Sequence, residues 1–161
     1  MGDDQVTRAF LRHTIATLAY RGGKTLRDAP PSFAAFRINE GSRSAGEILA
    51  HMGDLFDWAL SLAKGAEAWR NAPPQAWNVD VERFFAALAS FDAYLASDEP
   101  LACSAESLFQ GPIADALTHV GQLAMMRRVA GAPIRGENYF RADVAAGRVG
   151  PSQTAPRREF D

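Results

Sequence analysis

Three histidines, His13, His51 and His119, carry most of the chemical reach of this 161-residue chain. Near neutral pH an imidazole can take or give a proton, or hand a lone pair to a metal ion. Two of the three come with carboxylates at helical spacing. At 100° per residue, Ile48, Leu55, Trp58 and Leu62 fall within about 60° of His51. His51 therefore rides an apolar stripe and is expected to point inward, with Glu47 at i−4 and Asp54 at i+3 on the same face. That pattern fits a core histidine bonded to Asp54, and it fits a ligand. Further along, Asp115 and His119 stand four apart on one helical face, which Gln122 and Met126 extend. Such a pair can present a carboxylate oxygen and an imidazole nitrogen to one ion, with spacing already fixed by the helix. It can equally be a solvent-facing stripe, because Ile113, Leu117, Val120 and Ala124 fall on the other side. Either face could be the core. If the polar face turns inward, the apolar one is left for a partner subunit.

Should the two stretches converge, His51, Asp115 and His119 would make a three-ligand set with open positions. That set suits a catalytic zinc or another borderline divalent ion better than a closed structural site. Without a thiolate it does not separate zinc from nickel or iron(II). A ligating imidazole usually donates its other ring N–H to a carboxylate, a carbonyl or water. Asp54 is thus the expected partner of His51, and Gln122 is expected either to face the site and hold a bound water or to be solvated. His13 reads as packed or exposed, or as a general base at a cavity mouth. Trp58, Trp69 and Trp77, with Phe84, Phe85 and Phe91, read as core or interface, and Met125 and Met126 as packing. Cys103 lies in a loop with no histidine fixed near it. Arg127 and Arg128 suit the negative end of a helix, and a ligand-binding dimer using Arg135 or Arg141 on anions is a further reading.

Four helical stretches must position these groups. The first spans residues 4–21, with acidic residues at its start and Gly22-Gly23 at its expected end. The second spans 44–68 and opens on a Ser44-x-x-Glu47 capping box. The third spans 78–96. The fourth spans 111–130, with Pro112 at the first helical position and Gly131 and Pro133 beyond its end. Strand signals are poor, so an all-α four-helix bundle is expected over residues 1–132. An irregular arm, 133–161, should follow it, packed on the bundle or on a partner subunit, with one helical turn near 141–146. The long connection 22–43 is of a length that is often functional, and it and the arm are expected to wall a pocket.

Composition narrows the function classes. Apolar residues make up 47% and charged residues 22%, a globular balance. A formal charge of −2 supplies no basic field for phosphate backbones, which disfavours a nucleic-acid partner. No run reaches eighteen apolar residues, so no membrane span is expected. The opening MGDDQVTRAF has no apolar leader core, and the single Cys103 cannot form an internal disulfide, so a cytoplasmic location is expected. Glycine-rich phosphate loops, H-E-x-x-H, the paired E-x-x-H of di-iron bundles and serine nucleophile elbows are absent.

Two stretches together resemble a known family. The first is Ile48-Leu49-Ala50-His51-Met52-Gly53-Asp54-Leu55-Phe56-Asp57-Trp58, a histidine followed by acidic residues and a tryptophan. The second, and more specific, is Asp115-Ala116-Leu117-Thr118-His119-Val120-Gly121-Gln122. They resemble the DinB/YfiT-like bundles, a superfamily that includes thiol-dependent S-transferases and a mycothiol-dependent maleylpyruvate isomerase. The likeness covers most of residues 1–132. It implies an up-down-down-up four-helix bundle, often paired as a homodimer, in the cytoplasm. It implies a divalent ion such as zinc or nickel on His51 and His119. Asp115 stands where the family pattern has the first histidine of His-x-x-x-His. The implied activity is metal-dependent, an S-transfer or hydrolase-type reaction on a small-molecule substrate, with a low-molecular-weight thiol as a possible cofactor. The alternative is a non-catalytic, stress-related binding or scaffold protein that keeps the bundle fold.

Overall fold

The computed structural model describes residues 3–160. The first two residues of the opening segment and the final Asp161 of the arm lie outside them. The fold is all-α: α1 (Asp3–Leu26), α2 (Ala45–Ala63), α3 (Trp77–Ala96), the short α4 (Ala105–Leu108) and α5 (Ala114–Val129). Helices α1 and α2 each pack against both α3 and α5, which closes a ring of four contacts around the core. Phe56, Phe84 and Phe91 fill its centre, with ring centroids 6.1 and 6.2 Å apart from Phe56 outward.

The capping box at the head of α2 forms as the sequence predicts. Ser44 Oγ accepts from the Glu47 amide at 3.1 Å, and Glu47 Oε2 accepts from the Ser44 amide at 2.7 Å. Two orphan donors are satisfied reciprocally, which fixes where α2 begins. Three expected boundaries move. α1 runs through Gly22-Gly23 to Leu26, because these glycines serve packing rather than termination: a Cβ on Gly22 would lie 3.3 Å from the Phe84 ring. α2 stops at Ala63, five residues early, where Gly65 turns the chain at φ +70°. Pro112 does not open the last helix. The helical path starts at Ala105, capped by Ser104 Oγ on the Ser107 amide, and widens into a π turn over Phe109–Ile113 before α5. Pro112 has no N–H to donate to the previous turn, and the Ala114 amide reaches back five residues to the Phe109 carbonyl.

The connection between α1 and α2 is packed rather than loose. Its short 3₁₀ turn, Pro31–Ala35, buries Phe33 against Phe36 and Trp77. The C-terminal arm is less irregular than expected. Gly136–Glu137 (β1) pairs antiparallel with Glu159–Phe160 (β2), and its helical turn falls at Tyr139–Arg141. The arm docks on α1 through a buried cluster. Glu137 accepts from Tyr20 Oη at 2.7 Å and from Lys24 Nζ at 2.8 Å, and Lys24 also meets Glu159 at 2.7 Å. Burial, reinforced by Glu137, pushes the Tyr20 hydroxyl far above its ordinary range, so it stays a donor.

Arg127 lies in the last turn of α5 as expected, and there it is buried. It is 5% exposed, and its guanidinium donates to Ala132 O at 2.9 Å, Thr25 O at 3.0 Å, Arg27 O at 2.6 Å and Asp28 O at 3.4 Å. The end of α1 and the end of α5 are thereby tied by one side chain, with Asp28 turning away at φ +54°. Removing it strands several buried acceptors at about 1–3 kcal/mol each. Arg127→Met is expected to lower unfolding stability by more than about 2 kcal/mol, read from urea denaturation.

Candidate metal centre

Helix α2 presents His51 and α5 presents Asp115 and His119 to the same point. The rings of His51 and His119 meet edge to face, 4.9 Å between centroids and 89° between planes. The Asp115 carboxylate bridges them: Oδ2 lies 3.4 Å from His51 Nε2, and Oδ1 lies 3.4 Å from His119 Nε2. One ligand atom from each residue falls within 4.8 Å of the other two, so the trio could hold a metal ion. An ion with bonds of about 2.0–2.1 Å in tetrahedral geometry spaces its ligands by about 3.3 Å, close to both imidazole–carboxylate separations. The buried side of α5 runs through His119 with Ala116, Val120, Leu123 and Met126, so it takes in part of both expected faces, and Gln122 of the polar stripe stays exposed. Asp115 stays at the rim, its side chain 47% exposed, while those of His51 and His119 are 17% and 11% exposed.

Gln122 has a sharper part than holding water. Its Oε1 accepts from His119 Nδ1 at 2.8 Å. An amide oxygen only accepts, so Nδ1 carries the proton and a neutral His119 keeps its Nε2 lone pair toward Asp115. An imidazole lone pair facing a carboxylate oxygen is comfortable only with a proton or a cation between them. This is the orientation that a metal ligand needs.

Asp54 corrects the sequence reading, since the structure gives its oxygens other partners than His51. It forms an ion pair with Arg83 of α3 and accepts from the Ala72 amide at 3.0 Å. Arg83 also pairs with Asp57 at 3.1 Å and donates to Ala50 O at 3.1 Å. A partner contributed by another helix outcompetes the local i+3 geometry. The effect is to pin residues 64–76 across the centre. Trp69, expected in the core or an interface, lies on this strap 43% exposed, with its ring 5.6 Å from His51 and 5.6 Å from Trp58.

Sequence reasoning missed Arg83 and Arg43, and it gave Trp69 a packing role rather than a place beside the centre. Arg83 sits on α3 where only tertiary packing assigns a partner, and Trp69 sits on a segment with no periodicity. The remaining candidates fall away from the centre. His13 is exposed on α1, and Cys103 is half-buried in a setting that raises its thiol pKa. Arg135 pairs with Glu159, and Arg141 lies over the Phe140 ring. The connection after α1 does wall the cavity beside His119, through Ile38, Ser42 and Arg43, but no described residue of the arm lines it.

Set beside known proteins, the chain matches no family model, no curated protein and no solved structure. The centre is therefore read from its own geometry. Among the described residues no helix is long and apolar enough to cross a membrane.

Burial holds His51 below the ordinary imidazole value of 6.5. Asp115 raises it, but His119 and Arg43 add to the depression. The ring is thus uncharged at neutral pH, with one of its two nitrogens unprotonated. Below 6.5 the unfolded chain binds a proton that the folded chain still refuses, so folding stability falls as pH drops toward the lowered value. Metal-free protein melted from about pH 7.5 to about pH 5 should lose melting temperature on the acid side, and His51→Gln should flatten that loss.

Proposed function

We propose that the chain is a divalent-metal-dependent enzyme of the DinB-like kind, acting on a small-molecule substrate by S-transfer from a low-molecular-weight thiol or by hydrolysis. The observation that carries this is the convergence of His51, Asp115 and His119 within 4.8 Å, drawn from two helices. His51 and His119 would hold the ion through Nε2, and Asp115 would hold it through a carboxylate oxygen. Three protein ligands leave positions for exchangeable groups, as catalytic rather than structural sites do. Zinc and nickel both suit this donor set. Such an ion, when bound, lowers the pKa of a coordinated water or thiol and so supplies a nucleophile near neutral pH. Gln122 fixes the His119 tautomer. The Trp69 ring packs against one side of His51. Asp115, at the rim, leaves the centre open toward solvent and substrate. A homodimer in the cytoplasm is part of the same proposal, by the resemblance of the two motif stretches.

Chelator-free purification followed by elemental analysis tests this directly. About one zinc or nickel per chain is expected, lost in His51→Ala and in His119→Ala. Protein that is metal-free and cannot be reloaded overturns the proposal in favour of a non-catalytic scaffold. Gln122→Ala should weaken metal affinity by roughly 10–100-fold while leaving the fold intact, measured by competition with a chromophoric chelator. Asp115→His, which restores the paired histidines of the family pattern, should keep a bound ion and tighten the retention of zinc in the same assay.

A further inference from the structure

A cavity of about 650 Å³ opens beside His119. That volume falls within the range of small-molecule sites, roughly 300–1,000 Å³. Ile38, Ile48, Met125 and Met126 supply its apolar walls. Methionine side chains adapt to varied apolar shapes, and Met125 is 59% exposed although it faces this hollow. His119 and Gln122 border it on the metal side, and Arg43 borders it near His51.

Arg43 is the odd residue. It is exposed and makes no hydrogen bond or ion pair with any described residue. Glu40 and Glu47 flank it in sequence, but neither forms an ion pair with it, and Glu47 pairs instead with Arg37 at 2.9 Å and closes the Ser44 capping box. Arg43 also lines the smaller hollow on the Asp54 side of His51, so its charge stands between two openings of one centre.

We propose that this cavity is the substrate pocket and that it selects a singly charged carboxylate with an apolar body. The body lies between Ile38, Ile48 and the two methionines, and the carboxylate pairs with Arg43. A guanidinium matches a carboxylate in a planar, two-pronged contact. One such cation balances one negative charge, whereas a phosphate monoester brings about −1.5 to −2. The pocket takes its chemistry from the metal-centre reading, but its binding does not depend on an ion. Gly121 offers a way to close it. It lines the cavity, a Cβ there meets nothing within 4 Å, and a helix favours a side chain over glycine.

The test is calorimetric titration of the full chain, zinc-loaded and metal-free, with octanoate, 1-octanol and octyl phosphate, with metal content measured on the same samples. Octanoate is expected to bind most tightly in both forms. Arg43→Gln should weaken octanoate about tenfold and leave 1-octanol within about twofold. Gly121→Phe should abolish binding of all three to metal-free protein at an unchanged or higher melting temperature. The proposal is overturned if octanoate binds no better than 1-octanol, if octyl phosphate binds better than octanoate, if Arg43→Gln affects acid and alcohol alike, or if metal-free Gly121→Phe still binds octanoate. Protein that takes up zinc but ignores octanoate removes the pocket alone. Protein that binds octanoate in the expected pattern but takes up no metal sustains the pocket and removes the metal centre.

Discussion

A carboxylate held at 3.4 Å from two imidazole nitrogens is an arrangement with a demand built into it. Each nitrogen needs something positive between itself and the oxygen it faces, or the contact is lone pair against lone pair. At His119 the demand is explicit, because Gln122 takes the one ring proton of the neutral form on the far side. At His51, burial keeps the ring uncharged, and its one proton sits either on Nε2 toward Asp115 or on Nδ1 away from it. The surrounding structure serves this point. The Ser44–Glu47 box sets where α2 starts and hence which way His51 faces. Packing of α2 on α5 then sets the separation. Neither His51 nor the Asp115–His119 pair could make the centre alone.

Two other polar ties keep the frame around that point fixed, through the buried charges of Arg127 and Asp54. The buried Arg127 gathers carbonyls from the ends of α1 and α5, so a cation does the work of two helix caps. Arg83 binds Asp54 and Asp57 on α2, and the second oxygen of Asp54 holds the backbone of the strap that carries Trp69. One carboxylate thereby links α2, α3 and the strap beside His51. The arm is fastened by a third cluster, Tyr20, Lys24, Glu137 and Glu159, on α1.

Periodicity was enough to put His51 on an inward stripe and to place Asp115 with His119 on one face. It was also enough for the all-α class and for the head of α2, where a local exchange of hydrogen bonds decides the outcome. It could not choose which face of α5 looks inward, since its apolar residues fall on both sides and only the neighbours of Ala116, Val120 and Leu123 settle that. Local spacing named Asp54 as the companion of His51, and a long-range arginine overrode it. Gly22-Gly23 reads as a stop by propensity, but the Phe84 ring needs a surface without side chains, and the helix continues beneath it. Trp69 and Arg43 belong to connections, where spacing carries no phase and placement follows only from the packed whole.

The π turn at Phe109–Ile113 has a consequence for sequence length. Such a turn holds one residue more than the regular helix would over the same rise. The widened turn takes up that residue, so the helix beyond it keeps the bearing of a regular helix one residue shorter. Asp115 begins two residues after this turn, so it and His119 face α2 with one residue of slack upstream. Excising a single residue there would mend the helix and leave both side chains near their present bearing, whereas the same excision between Asp115 and His119 would rotate one against the other by about 100°. The turn tolerates a change in its count of residues that the regular helix carrying the pair does not.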